Sequence, residues 1–136
     1  MVAYNFKSSF VPLIEAKTKQ QTIRRDRKRH ARPGEALQLY TGPRFHPVRL
    51  GLASCLEARQ VILDFDQNRV VLDDSIELFA DDDLNTFAIR DGFGARHGLQ
   101  PWEFMGRWWA QTHPDVELFS GVLIVWGDTF AKAGDQ

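Results

Sequence analysis

The sequence predicts an α+β domain, with about five to six mostly antiparallel strands and two to three short helices around one hydrophobic core. Three observations carry that prediction. Short runs between residues 36 and 72 alternate apolar and polar side chains and are separated by turn signals, the pattern of half-buried strands. Trp102, Met105 and Trp109 instead lie three and four apart, the period of a helix with one apolar face. Residues 119–126 are apolar on both faces, as a central strand is, and the strand count allows a small barrel closed by that strand.

Residues 4–6 read as a first strand, and residues 10–16 as a short helix with Ser8 or Ser9 as N-cap and Pro12 in its first turn. Thr22, Ile23 and Arg24 form a brief extended segment. The polar stretch 25–32 ends in Pro33-Gly34, a turn signal, before residues 36–40 alternate as a strand. After a loop over 41–47, the larger apolar side chains of residues 48–56 fall at even positions, again a half-buried strand. Residues 61–65 and 69–72 flank Asp66-Gln67-Asn68 and read as a hairpin. Asp81, Asp82 and Asp83 then precede a helix over 84–89, where acids suit the positive end of the helix dipole. Asp91-Gly92-Phe93 breaks that helix. Pro101 opens another, whose apolar face Phe104 and Trp108 broaden, and His113-Pro114 stops it. Residues 1–130 make one domain, and the polar tail 131–136 is expected to fray.

Composition narrows the class of protein. With 43% hydrophobic and 26% charged residues, 136 residues suffice for one core and do not read as a disordered chain. No apolar run approaches the ~18 residues of a membrane span, and the first residues lack the apolar stretch of a secretory signal. Cys55 is the only cysteine, so no disulfide within the chain and no thiolate zinc cluster is expected, which fits a cytoplasmic protein. The four histidines have no partner at metal-ligand spacing, so neither metal nor cofactor is expected. The formal charge of −1 hides an asymmetry: residues 17–32 hold eight basic side chains against Asp26, and residues 57–83 hold nine acids against two arginines. A local positive field attracts a polyanion even when the net charge is near zero.

Residues 13–39 carry a more specific pattern: a short helix, Lys19-x-x-Thr22-Ile23-Arg24, a polar loop, Pro33-Gly34-Glu35 and a strand. This resembles the opening of an ASCH domain, a member of the PUA-like superfamily, and Asp91-Gly92-Phe93 before a Trp/Phe-rich helix resembles its second signature. The resemblance runs from about Tyr4 to Trp126. It implies a small β-barrel flanked by helices, with a cleft beside the Thr-Ile-Arg strand that holds RNA or a modified nucleoside. Some members are amidohydrolases that deacetylate N4-acetylcytidine with a lysine, a threonine three residues later and a distant glutamate; others are reported as ribonucleases. Lys19 and Thr22 match the first two positions, and Asp91, one methylene shorter, stands nearest to the third. A shift of about 1 Å at such an oxygen can cost roughly a hundredfold in rate.

The residues have their own logic. On a regular strand Lys19 and Thr22 point to opposite faces, so they converge only if Lys19 lies in the loop before the strand. A threonine hydroxyl acts as a nucleophile only with a base in reach, and lysine is a base only when neutral, a state that burial and neighbouring cations favour. Arg24 and Arg25 are placed to meet phosphates at the cleft lip, and Arg27, Lys28 and Arg29 to grip a strand from a mobile loop. Trp102, Trp109 and Trp126 fall on apolar faces and belong to the core, whereas Tyr40 and Phe93 border polar loops and are the candidate cleft aromatics. The leading expectation is therefore binding of RNA or a modified nucleoside. An amidohydrolase or ribonuclease is the alternative, and a protein-interaction module the third.

Overall fold

The computed structural model describes residues 1–134. Its elements in chain order are β1 (Val2–Phe6), a 3₁₀ turn (Ser8–Phe10), α1 (Val11–Glu15), β2 (Gln21–Arg24), β3 (Ala36–Thr41), β4 (Val48–Ser54) and β5 (Glu57–Asp64). They continue with β6 (Arg69–Leu72), β7 (Ile76–Leu78), α2 (Asp81–Arg90), α3 (Pro101–Thr112), β8 (Phe119–Val125) and β9 (Ala131–Lys132). One sheet has the order β1-β3-β4-β9, with β1 parallel to β3, and the other the order β2-β8-β5-β6-β7 with every pair antiparallel. The α+β class stands.

The expected barrel does not close among the described residues. The ends of the two sheets show why: β1 and β9 end one and β2 and β7 the other, and among the described residues no end strand of one pairs with an end strand of the other, so the sheets meet by their faces instead. Val122, Ile124 and Trp126 share a core with Tyr4, Phe6, Leu37 and Leu39 of the first sheet. Phe119 and Leu123 share the second core with Phe87 and Met105 of α2 and α3. Alternate side chains of one strand thus serve two cores, which is the reason residues 119–126 are apolar throughout.

Four local expectations are corrected. Neither Ser8 nor Ser9 caps α1; both lie in the 3₁₀ turn, and the N-cap is Phe10 with no side-chain bond. Leu39 pairs with Gly51 while Tyr40 pairs with Arg49, so Leu50 is the extra residue of a bulge. The bulge sets the inward phase of β4: the bulged Leu50 is itself buried, and beyond it the odd positions Gly51, Ala53 and Cys55 are buried, while Val48 before it and Leu56 after it are exposed. Strand β7 was not expected, since its exposed Ile76 and Glu77 show no alternation. The tail is ordered at its start, where Ala131 and Lys132 pair with Leu52 and Gly51; its last two residues, 135 and 136, lie outside the described part. No helix among the described residues is long and apolar enough to cross a membrane.

Candidate functional site

Strand β2 lies at the edge of the second sheet, and the chain enters it from α1 through a tight reversal. Lys17 adopts a positive φ of 63°, and the amides of Thr18 and Lys19 both donate to the Leu13 carbonyl. Lys19 is therefore in the linker rather than on the strand, the one arrangement that lets it share a side with Thr22. Its side chain is 2% exposed, and Nζ donates to the Asp91 backbone carbonyl at 2.5 Å while lying 4.6 Å from the centroid of Phe10 and 5.6 Å from that of Phe6.

Asp91 closes α2 as its C-cap and is also buried. Gly92 follows with φ +103°, and a Cβ there would stand 2.9 Å from Phe10 Cδ1 and 3.1 Å from Lys19 Cδ, so the break after α2 is also a fitted contact. The Gln20 amide donates to the Arg90 carbonyl at 2.7 Å, tying the start of β2 to the end of α2. Gln21 Nε2 reaches both the Asp91 carboxylate and the Phe87 carbonyl at 3.4 Å.

Thr22 and Arg24, two apart on β2, face the same side. Arg24 Nε donates to Thr22 Oγ1 at 3.0 Å, and its Nη2 donates to the Asn5 carbonyl of β1 at 2.6 Å. The Thr22 hydroxyl accepts that bond and keeps its own hydrogen to give. Arg24 also stacks on the ring of Phe6, 4.8 Å from the centroid.

Burial governs the ionisation of this group. It lowers Lys19 to about 8, with Asp91 pulling upward and Arg24 adding to the fall. It raises Asp91 to about 6, against the opposing pull of Lys19, the Gln21 hydrogen bond and Arg24. Arg24 is lowered too, by burial first. A lysine moved towards neutrality and a carboxyl moved towards protonation thus share one place, and such shifted groups cluster at functional sites as well as in buried ion pairs.

Lys19, Thr22, Arg24 and Asp91 line a single cavity of about 280 Å³. Arg25 stands on its rim and Phe93 is buried in its wall, edge-on to Phe10 at 5.7 Å. Tyr40 is not brought there: it lies on β3, where its hydroxyl donates to Gln38 Oε1 at 2.6 Å. Segment 25–32 is tied down rather than free. Arg27 lies 4.7 Å over the Tyr4 ring and donates to the Ala3 carbonyl, Arg29 pairs with Glu35, and His30 bonds the Tyr4 hydroxyl at 2.9 Å. Lys28 is exposed. A second groove, about 320 Å³ beside Phe65 and Trp102, offers only exposed charges, Glu103 and Arg107.

Sequence reasoning missed Gln21, Phe10, Trp108 and His113. Gln21 adjoins Thr22, so its position beside the motif was a usable signal. The other three reach the cavity only through tertiary folding. No protein-family model matches this chain, nor does any curated protein or solved structure.

Proposed function

We propose that this chain is a PUA-like module of the ASCH type that binds a modified nucleoside, free or within RNA, in the cavity beside β2. One observation carries the reading: Lys19, Thr22, Arg24 and Asp91 meet in a cavity walled by Phe10, Phe93 and Trp108. Rings suit the faces of a base, and buried donors and acceptors suit its edges. A volume of about 280 Å³ lies just below the ~300–1,000 Å³ of ligand sites, which favours one nucleoside over a run of bases. Titration with N4-acetylcytidine tests this. Saturable binding that Lys19→Ala and Arg24→Ala each weaken roughly tenfold or more is expected, since both supply charged hydrogen bonds; no binding by the wild type overturns it.

The low-lying lysine supports a second reading, amide hydrolysis of the same ligand. Neutral Lys19 would take the proton of Thr22 Oγ1 as that oxygen bonds to the acyl carbon. The C–N bond then breaks as the proton taken by Lys19 passes to the leaving amine, with ionised Asp91 orienting the substrate or relaying that proton, and water hydrolyses the acyl-threonine ester, which returns the hydroxyl to Thr22. Turnover would rise as pH passes about 8, where Lys19 loses its proton. Thr22→Ala and Lys19→Ala should each remove nearly all turnover, because residues acting as one unit are not additive. Asp91→Glu should preserve or raise it and Asp91→Asn lower it; release of no cytidine over hours, or normal turnover by Thr22→Ala, defeats the catalytic reading and leaves binding intact.

A further inference from the structure

We propose that the outer end of the same cavity is an oxyanion subsite, formed by Lys7, Arg25 and His113 against Trp108 and Trp109, so that the ligand taken there carries a phosphate. The identity of the remaining ligand rests on the nucleoside reading above, whereas the subsite for the anion does not.

Charge is the first support. Lys7, Lys19, Arg24 and Arg25 all line the cavity, and Asp91 is the one acid among its lining residues. That acid belongs to the inner end. Lys19 Nζ lies 4.6 Å from the Phe10 centroid, Phe10 packs edge-on to Trp108 at 6.0 Å, and Lys7 Nζ sits 5.0 Å from the Trp108 centroid, so Lys7 contacts a different ring of the wall from the one beside Lys19. Neither Lys7 nor Arg25 takes part in an ion pair among the described residues.

His113 is the second. Its ring lies flat on Trp109, 4.7 Å between centroids and 9° between planes, and edge-on to Phe119 at 5.4 Å. Thr112 Oγ1, which also reaches the Trp108 carbonyl at 2.9 Å and the Trp109 carbonyl at 3.3 Å, shares a hydrogen bond with His113 Nδ1 at 2.9 Å. Burial lowers the pKa of His113, a backbone hydrogen bond to Trp109 opposes that fall, Arg25 and Lys7 add to it, and an anion seated between these cations would favour the charged ring.

A third support is the Trp109 indole N–H, which is buried with no acceptor among the described residues. Lys7 and Arg25 bring charge without an acid among the lining residues at this end, and phosphate, which offers acceptor oxygens and negative charge, complements them.

Calorimetry on the full chain compares N4-acetylcytidine with its 5′-monophosphate, and NMR follows the His113 ring and the Trp109 indole N–H as inorganic phosphate is added. The monophosphate should bind the wild type roughly tenfold or more tightly than the nucleoside, and that ratio should fall towards one in Lys7→Gln/Arg25→Gln, whose two sites are exposed. Inorganic phosphate should shift both NMR signals in the wild type and neither in the double variant. If phosphate shifts them while nucleoside and monophosphate both fail to bind, the subsite stands and the nucleoside reading falls. Equal binding of nucleoside and monophosphate, with both signals unmoved by phosphate, overturns the subsite and leaves the nucleoside reading standing. An RNA hexamer without terminal phosphates that displaces inorganic phosphate assigns the group to a nucleic-acid backbone; one that fails assigns it to a monoester.

Discussion

Lys19 and Asp91 are each held on the unfavourable side of their ordinary ionisation, and the consequence for stability has the opposite sign from that of a surface ion pair. Asp91 binds a proton more readily in the fold than in the unfolded chain, so stability falls as pH rises from its ordinary 3.8 through about 6. Lys19 binds one less readily, so stability rises again as pH climbs from about 8 towards its ordinary 10.5. Urea unfolding midpoints measured across pH should therefore pass through a trough between about 6 and 8. In Asp91→Asn the acid-side fall should disappear while the alkaline rise remains, and persistence of the fall in that variant would assign it to another carboxyl. At this scale the motif was legible: Lys19, Thr22 and Asp91 were all named from sequence, and they share one cavity. What spacing does not encode is that the Lys19 ammonium bonds the backbone oxygen of Asp91, leaving its carboxylate to Gln21.

The element that positions β2, and through it the site, is β8, and its closest fit is at Gly121. A Cβ there would stand 2.3 Å from the Arg24 carbonyl oxygen and 2.7 Å from the Phe119 ring. Gly121→Ala must therefore push β2 away from β8 or distort both, at a cost of about 1–3 kcal/mol as for overpacking elsewhere. Because Arg24 and Thr22 ride on β2, the variant should weaken N4-acetylcytidine binding more than it lowers the urea midpoint would require; a purely global loss of stability would leave the affinity of the folded fraction unchanged. The two-sided apolarity of residues 119–126 made the central place of β8 legible, and Pro101 and the tryptophan spacing did the same for α3. The phase of β4 was not legible, because one extra residue at Leu50 turns every later side chain over and nothing in the composition of residues 48–56 marks it. Nor was the division into two sheets: alternation reports which face of a strand is buried, and a barrel and a stacked pair of sheets bury the same faces.

For the whole molecule, the eight cations of residues 17–32 and the nine acids of residues 57–83 create a field whose direction matters more than the net charge of −1. Arg27 and Arg29 are engaged within the fold, and Arg25 and Lys28 remain exposed beside the cavity strand. Association with single-stranded RNA through three to five phosphates should give a slope of log K against log salt of roughly −2 to −4. Arg24→Ala/Arg25→Ala/Lys28→Ala should flatten that slope, and an unchanged slope would leave the cluster as an ordinary solvated loop.

The bond from Arg24 to the Asn5 carbonyl crosses between the two sheets, which makes the cavity a seam as well as a pocket. Each sheet has its own hydrogen-bonded ladder, and the core between them packs Leu37 and Leu39 of one against Val122 and Ile124 of the other, so that core is exposed if the sheets part. A molecule seated between Phe6 of one and Thr22 of the other is lost when they part, and its binding free energy is therefore added to the cost of that opening. A filled cavity is thus a second clasp on a seam that the shared core already holds.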